Sequence, residues 1–525
     1  MHYYLRLIYI LGLAGILFFL PITKIGISIS AFVMLGAWIV AGAWKEKLRL
    51  ITTNIPLVSI AGLYLLFVIG MIHTHNWEHG LQDLRIKLPM LMLPIVMGSS
   101  EGLSNKERNG VLGAFVVSIL LCVVYSLGIY YQGNWKDIRN IVPPQISHIH
   151  FSYMVILSMY IGFYFIFNVV KNNYFNAVIG SIILFFTYYL FILQSFNGMI
   201  VFLGSIAMWL CYQALKRPAW RIGLLTIVGL GIGSLGYLFY QEQQTFVPKD
   251  DLTQLKKYTA NGRLYTHEMD YLVLENNHYL HINTCPEELE KQWNKQSTIQ
   301  YNEKDKRGEV LWGTLLRYMN SKGYTKDSAG VKMLTKEDIQ YIENGVANPV
   351  LLTKNPISKR INQFLFEYKN RNYFVTLNGS SLLLKLELWK AATDIWLKNF
   401  WVGVGTGDSK DAFQEYYAHK ETKLDKQWQL TGHNQYLEYA VQIGIIGLLA
   451  GIFVPLYAFY KRKILHHSMV LLFISMEYAA MITENIFDTQ AALTLFIGFN
   501  CLFLSIKEYG SPSNVMFYNL DCNYK

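Results

Sequence analysis

The chain has 525 residues and a net charge of +10, and 52% of its residues are hydrophobic. Only 16% are charged, against about a quarter in typical soluble proteins. The chain has 46 Lys and Arg and 36 Asp and Glu, and 50 of these 82 charged residues lie between Gln241 and Thr431. This distribution excludes a soluble enzyme, a disordered chain and a disulfide scaffold. It predicts a multi-pass membrane protein with one large polar insertion, and the positive charge outside the insertion indicates membrane orientation rather than nucleic-acid binding.

Apolar runs long enough to cross about 30 Å of hydrocarbon occur on both sides of the insertion. Nine precede it, at 4–20, 25–44, 55–72, 84–100, 110–131, 149–170, 175–194, 199–215 and 222–240. Three follow it, at 436–460, 468–485 and 490–506. We therefore predict an all-α polytopic membrane protein of about 12 transmembrane helices. Its predicted domains are a bundle of about nine helices at 1–240, the insertion at 241–434, about three helices at 435–506 and a tail at 507–525.

The loop charges predict how this bundle is oriented. Lys and Arg cluster near residues 45–49, 216–221 and 461–463, in loops that would share one side with both termini. The short loops on the other side hold only Lys24, Lys136 and Arg139. By the positive-inside rule the termini and the tail are cytoplasmic, and the insertion lies outside the cytoplasm.

The insertion has the signals of an ordered, mainly helical domain. Thr335 followed by Asp338, and Thr284 followed by Glu287, have the spacing of capping boxes that open helices. Gly345 stands where a glycine ends a helix. Apolar residues recur at helical spacing from 386 to 400, which predicts an amphipathic helix.

A glycine-rich segment, Gly403-Val-Gly-Thr-Gly407-Asp408, follows that predicted helix. It resembles a phosphate-binding loop, but it lacks the lysine and the G-x-G-x-x-G spacing of nucleotide sites. The interpretation that we favour is a tight turn that returns the chain toward the membrane.

The segment Gly432-His433-Asn434 stands immediately before the tenth apolar run. A histidine at the mouth of a span can accept a proton near neutral pH, which suits it to general-base catalysis. Alternatively, His433 is an interfacial residue beside Asn434, which would cap the helix. The spacing alone leaves both interpretations open.

His433-Asn434, nine residues and then Gly444-x-x-Gly447 resemble the C-terminal motif of the O-antigen ligase family, which matches at every defined position. The resemblance extends to the dozen spans, the large loop before a late span and the glycine-rich segment. It implies a fold shared with O-antigen polymerases and bacterial O-linked protein oligosaccharyltransferases. Such enzymes move a glycan from an undecaprenyl-pyrophosphate carrier on the periplasmic face, without nucleotide or metal.

The resemblance implies that His433 is the catalytic base and that cations hold the departing pyrophosphate. The family typically has arginines for this role, whereas this chain has Lys385 and Phe196 at the corresponding positions. Lysine keeps the charge but lacks the bidentate fork of arginine. We therefore predict Lys385 as a catalytic cation. Arg360 and Arg85 are the preferred further candidates, and the alternative for each is a solvated surface charge.

Four other residues are predicted to bind substrate. Asn434 and Asp408 belong to the motifs above, and His150 lies in a segment that resembles a family His-x-Ser-Tyr sequence, although it could equally anchor the span at the interface. Glu484 is one of two carboxylates in the eleventh predicted span, with Glu477. Carboxylates in spans usually face a cavity.

The function that the resemblance implies is transfer of the carrier-linked glycan to lipid A-core by an inner-membrane enzyme, with no metal, cofactor or nucleic acid. An O-antigen polymerase, whose acceptor is a growing glycan, and a protein oligosaccharyltransferase use the same donor and remain open. A transporter of lipid-linked glycan is the alternative from another class, because it also needs many spans among membrane lipids. The large ordered insertion beside the His-Asn motif favours an enzyme.

Overall fold

The computed structural model describes residues 3–133, 138–216, 218–373, 381–420 and 422–505. The predicted tail at 507–525, together with Lys136 and Arg217, lies outside these residues. Helices account for most of these residues, and the one regular sheet among them is a two-stranded ribbon.

The first ten helices are α1 (Tyr3–Phe19), α2 (Lys24–Val40), α3 (Trp44–Thr53), α4 (Ile55–Gly70), α5 (Trp77–Lys87), α6 (Pro89–Gly98), α7 (Asn105–Gln132), α8 (His148–Tyr164), α9 (Asn173–Leu193) and α10 (Phe196–Lys216). The middle of the chain forms α11 (Pro218–Gln244), β1 (Leu274–Glu275), β2 (His278–Tyr279), α12 (Pro286–Trp293), α13 (Leu311–Ser321), α14 (Ser328–Lys332), α15 (Lys336–Glu343) and α16 (Pro356–Asn370). The remaining helices are α17 (Ser381–Lys398), α18 (Ser409–His419), α19 (Gln435–Lys461), α20 (Ser468–Thr483) and α21 (Gln490–Leu504).

Apolar helices of membrane-spanning length confirm a multi-pass membrane protein. Among the described residues, seven helices are long and apolar enough to cross a bilayer, and α2 with α3 forms a further pair bent by 114°. Three shorter apolar helices, α1, α20 and α21, have 10–17 residues. The predicted all-helical class is therefore confirmed, whereas the count of twelve spans stays a prediction.

The span predicted at 84–100 differs from the structure. Here the chain forms two short helices, α5 and α6, separated at Leu88. Pro89 explains the break, because proline has no N–H to continue the helical hydrogen bonds and its ring clashes with the preceding turn. The ten residues of α6 extend about 15 Å at 1.5 Å per residue, which is half of the hydrocarbon thickness.

The chain divides into two compact units. Unit 1 comprises Met1–Trp220, Glu387–Thr422 and Gln429–Lys525, and unit 2 comprises Arg221–Leu386 and Lys423–Trp428. In unit 1, α1 packs on α2 and α7, α4 packs on α6 and α19, and α20 packs on α8 and α10. The predicted domain boundaries, 241–434 among them, stay predictions.

Unit 2 has a hydrophobic core of its own, built around Trp293 and Tyr318. The predicted capping box at Thr335 is confirmed, since its side chain accepts the Asp338 N–H and Asp338 accepts the Thr335 N–H. The capping box predicted at Thr284 is wrong. Thr284 instead exchanges backbone hydrogen bonds with Thr266, and the helix begins at Pro286.

Candidate active site

His433 is held at the start of α19 by the residue that follows it. Asn434 is the N-cap of this helix, and its side-chain oxygen accepts hydrogen bonds from the N–H groups of Tyr436 (3.0 Å) and Leu437 (3.2 Å). The Asn434 amide nitrogen donates to the carbonyl of Ile482 at 3.2 Å. The predicted helix-capping role of Asn434 is therefore confirmed, and these bonds fix the backbone beside His433.

His433 has a left-handed backbone with φ of 44°, a conformation that is uncommon outside glycine. Its ring Nδ1 pairs with Oε1 of Glu484, the residue that follows α20. A carboxylate accepts hydrogen bonds, so Nδ1 carries a proton, and in the neutral ring the lone pair then lies on Nε2. The histidine side chain is 34% exposed and that of Glu484 is 11% exposed. A solvent-accessible imidazole oriented by a carboxylate is the arrangement of a general base.

His150 lies on α8 close to this pair. Its side chain is buried, and its Nε2 atom has no hydrogen-bond partner within the described part of the chain. One turn along α8, the Tyr153 hydroxyl bonds the Thr483 hydroxyl at 2.8 Å, immediately before Glu484 in sequence. His150 also interacts electrostatically with Glu484 and His433. The structure thus brings together three predicted residues, His433, Glu484 and His150.

A further pair of acidic residues, Glu438 and Asp488, forms an acidic layer next to the first turns of α19. Glu438, one turn into α19, accepts hydrogen bonds from Ser409 (2.8 Å) and Gln442 (2.9 Å). The Asn485 amide reaches both Glu438 (3.4 Å) and Asp488 (2.9 Å). Burial raises the pKa of the Asp488 carboxyl above its ordinary value, although the nearby Lys87 ammonium acts in the opposite direction.

Lys87 is a buried cation that sequence reasoning missed. It pairs with Asp83 one turn earlier on α5, and it interacts electrostatically with Glu438 and Asp488. Arg85, which was predicted instead, lies two residues away on an exposed face of the same helix. The spacing of Asp83 and Lys87 in the sequence was the available signal, because residues four apart meet on one helix face.

The glycine-rich segment is a turn whose N–H groups bond to the protein itself. Val404 and Gly405 donate to the carbonyls of Val441 (2.8 Å) and Gln442 (3.1 Å), where Gly444 interrupts α19. The N–H of Thr406 donates to a carbonyl of α4, and that of Gly407 donates to the Thr74 hydroxyl at 3.2 Å. These bonds confirm the predicted turn, because a phosphate loop needs N–H groups that point at its ligand.

Asp408 joins this turn to the start of α5. Its carboxylate accepts the N–H groups of His75 (3.0 and 2.9 Å) and Asn76 (2.8 Å), and it also contacts the His75 ring. Burial raises the pKa of the Asp408 carboxyl, but these hydrogen bonds outweigh it and the net pKa is lowered. Asp408 therefore positions the turn, and its contact with substrate stays a prediction.

Glu477 lies away from the His433 pair, inside the bundle. The Asn500 amide donates to both of its carboxylate oxygens, at 2.9 and 3.1 Å. The partner of Glu477 is thus the side-chain amide of Asn500.

The predicted cations belong to a different part of the chain. Lys385 and Arg360 lie within unit 2, whereas His433 and Glu484 lie within unit 1. Arg360 is exposed on α16 and donates to Gln363 at 3.2 Å. The side chain of Phe196 lies outside the described residues. A role for Lys385 and Arg360 in one site with His433 stays a prediction.

Comparison with protein families supplies the decisive observation. Residues 346–452 match a family model described as O-Antigen ligase. This segment of the chain is therefore similar to the O-antigen ligase family. The matched segment contains the glycine-rich turn, His433 and the break at Gly444, and it supports a glycosyltransferase of the ligase and polymerase type. No curated protein matches the chain.

Proposed function

We propose that this O-antigen ligase family member transfers a glycan from undecaprenyl pyrophosphate to a hydroxyl group of lipid A-core, at the periplasmic face of the inner membrane. In this reaction the acceptor oxygen attacks the anomeric carbon of the glycan and loses its proton to Nε2 of His433. The bond between that carbon and the pyrophosphate oxygen breaks, and undecaprenyl pyrophosphate leaves. The donor is already activated, so the chemistry needs a base and cations for the leaving group.

The observation that carries the proposal is the pairing of His433 with Glu484. The carboxylate fixes the ring tautomer, and it stabilises the imidazolium that forms when the acceptor proton is taken. This is more than an interfacial histidine needs, since water alone would satisfy the ring at a membrane surface.

The charges around His433 indicate that the acceptor and the leaving group are served by different residues. Glu484, Asp488 and Glu438 surround the motif, and Lys87 is the cation that interacts with this acidic layer in the described chain. The Glu484 carboxylate beside His433 suits a neutral acceptor hydroxyl and repels a pyrophosphate. We therefore assign His433 to the acceptor side of the reaction and Lys385, with Arg360, to the leaving group.

Purified protein in detergent, supplied with carrier-linked glycan and lipid A-core, tests this proposal. His433→Ala should lower turnover by about a hundredfold or more, the scale of general-base loss, while donor binding stays unchanged. Lys385→Ala should weaken both donor binding and rate, and Lys385→Arg should retain activity because arginine restores the bidentate fork. His466→Ala, beyond the far end of α19, is the matched control. Normal transfer by His433→Ala protein would refute the base assignment.

The identity of the acceptor needs a separate experiment in cells. A deletion strain that accumulates long glycans on the carrier, with none on lipopolysaccharide, indicates the ligase. Lipopolysaccharide bearing a single repeat indicates a polymerase, and normal lipopolysaccharide with loss of glycoproteins indicates a protein oligosaccharyltransferase. Turnover in detergent, where no compartments exist, would exclude transport as the sole function.

A further inference from the structure

The short helix α3 follows α2 after a sharp bend. The two helix axes are bent by 114°, so α3 lies closer to perpendicular than to parallel with α2. The 17 residues of α2 are enough to cross the hydrocarbon at the short end of the usual range. Four of the ten residues of α3 are charged, which excludes most of this helix from the hydrocarbon. The bend therefore places α3 along a membrane surface.

The two faces of α3 differ as they do in helices that lie in the plane of a membrane surface. Trp44, Leu48 and Ile51 recur at helical spacing on one face, and Lys45 and Arg49 lie four residues apart on another. Trp44 is 49% exposed and Leu48 is 62% exposed, so the protein leaves this apolar face largely uncovered. A helix of this composition lies with its Trp and Leu side chains among acyl chains and its basic side chains among headgroups.

The bend between α2 and α3 is held by Lys47, a buried cation of α3. Its ammonium donates to the carbonyl of Trp38, and it lies 4.3 Å from the ring centre of Trp38 and 4.5 Å from that of Trp44. Cation–π contacts of this kind are attractive. The Trp38 indole N–H donates to the Ser99 hydroxyl at 2.9 Å, next to the end of α6. The position of α3 is thus fixed by the bundle itself.

Asn54, which follows α3, joins this helix to the end of α19. Its side-chain oxygen accepts a hydrogen bond from Arg462 at 3.1 Å, and its amide donates to the carbonyl of Gly98 at 3.1 Å. Arg462 stands between two lysines, and all three cations are exposed. Arg49 precedes Asn54 by five residues, about 7.5 Å along a helix. The fold therefore brings two separate basic segments together in one basic cluster, which consists of Lys45, Arg49, Lys461, Arg462 and Lys463.

The basic cluster lies at the end of α19 opposite His433. The 27 residues of α19 extend for about 40 Å at 1.5 Å per residue, which exceeds the hydrocarbon thickness. The acidic residue on α3 is Glu46, and the five exposed cations outnumber it. A ligand that complements the whole surface needs negative charge for the cluster and apolar chains for the Trp44 face. An anionic phospholipid has both, whereas a soluble anion would satisfy only the cations.

We propose that the basic cluster and the apolar face of α3 bind an anionic phospholipid, in the leaflet opposite His433. Arg49 and Arg462 can each hold the phosphodiester through two N–H groups, and the three lysines add attraction for the headgroup. The acyl chains lie along Trp44 and Leu48. This site lies at the other membrane surface from the proposed glycan transfer, and its ligand is neither the donor nor the acceptor of that reaction.

Native mass spectrometry of the full-length protein in detergent measures the binding, with phosphatidylglycerol, cardiolipin and phosphatidylcholine as probes. We expect the wild type to bind both anionic lipids about tenfold or more tightly than phosphatidylcholine. The double variants Lys45→Gln/Arg49→Gln and Lys461→Gln/Lys463→Gln should each bind phosphatidylglycerol about tenfold or more weakly, because each removes two cations near the headgroup. The matched control is Lys171→Gln/Lys216→Gln, which removes two exposed cations elsewhere in unit 1 and should bind like the wild type.

Thermal unfolding in nanodiscs separates loss of the site from loss of the fold. In phosphatidylcholine alone, the wild type and both double variants should melt at the same temperature, because the substituted side chains are exposed. Replacing part of this lipid by phosphatidylglycerol should raise the melting temperature of the wild type and the control, and leave that of the double variants unchanged. Leu48→Gln should also weaken phosphatidylglycerol binding, since it removes part of the apolar face.

Three results would overturn the proposal. They are equal binding of phosphatidylglycerol and phosphatidylcholine by the wild type, wild-type binding by both double variants, and displacement of bound phosphatidylglycerol by an equal concentration of inorganic phosphate. The last result would indicate a site for a soluble anion. The first and last need no variant, so a folding defect in a variant would not protect the proposal from refutation.

Discussion

The substitution Glu484→Gln tests the active-site geometry most directly. The change keeps the size of the side chain but removes the negative charge next to His433. The amide can also offer an N–H to Nδ1, which would move the ring proton to Nε2 and block the base. We therefore expect slower transfer at unchanged donor affinity, because the carboxylate acts on the imidazolium that forms during the reaction.

The size of this effect follows from the charge pair. Two unit charges about 4 Å apart interact by about 4 kcal/mol at an effective dielectric of about 20, and by about 1 kcal/mol in water. The His433 side chain is 34% exposed and that of Glu484 is 11% exposed, so an intermediate value of about 2–3 kcal/mol applies. At 1.36 kcal/mol for each factor of ten, this corresponds to a kcat about 30- to 160-fold lower.

The assay measures kcat and donor KM across pH with purified protein. The acid limb of the rate profile should move to lower pH in Glu484→Gln, because protonated His433 loses its neighbouring carboxylate. Glu477→Gln is the matched control, since it makes the same change on α20, where the partner is Asn500 and not a histidine. Wild-type kcat and an unshifted profile for Glu484→Gln, at equal folded protein, would refute the reasoning.

Three further predictions concern the framework of the site. Lys87→Met should lower the free energy of unfolding by about 3–5 kcal/mol, because it leaves Asp83 as a buried charge without its cation. Thermal unfolding in detergent measures this change, and the double variant Lys87→Met/Asp83→Leu should restore the stability. Gly444→Ala should lower the melting temperature, since φ is 70° and a Cβ would lie 2.3 Å from the Trp401 carbonyl oxygen; an unchanged melting temperature would contradict the break in α19. Asp408→Asn should destabilise the turn by about 2–3 kcal/mol through loss of charge-assisted bonds. The Asp408 pKa is lowered in the folded state. The stabilisation by its carboxylate should therefore be fully present above the pKa of the unfolded carboxyl, and it should disappear as the pH falls through the folded pKa. The melting curves of wild type and Asp408→Asn should accordingly converge in acid.

Much of the membrane architecture could be predicted from the sequence, because apolar runs of about 20 residues have few alternatives in a bilayer. The exception at 84–100 shows that composition alone does not predict where a helix breaks. Hydropathy is the same whether a run is one helix or two, and only Pro89 marks the break between α5 and α6. A second proline inside α6, Pro94, left the helix intact, so the prolines alone did not identify the position.

The candidate site could be predicted only in part. The capping role of Asn434 could be predicted because helix capping depends on local sequence, whereas the role of His433 as a base stays a prediction. The pairing of His433 with Glu484 spans 51 residues and depends on how α19 and the end of α20 pack, which no local pattern encodes. The burial of Lys87 beside the exposed Arg85 could not be predicted for a similar reason, and a role for Arg85 stays a prediction. Both are basic, and only the packing of α5 decides which one is buried.

The glycines of the His-Asn motif and those of the glycine-rich turn serve one structural purpose. At Gly444 the backbone leaves the helical conformation, and the carbonyls of Val441 and Gln442 accept N–H groups of the turn instead of helical ones. A side chain at Gly403 would lie 2.5 Å from this same backbone. The turn at Gly403 and the interruption of α19 at Gly444 therefore require each other. The spacing of the motif therefore reflects a junction between the glycine-rich turn and α19, and this junction fixes the first turns of α19. In the proposed mechanism His433 is the member of the motif that takes part in the chemistry. Loss of activity on replacing Gly403 or Gly444 would then reflect displacement of this base and not the absence of a ligand contact.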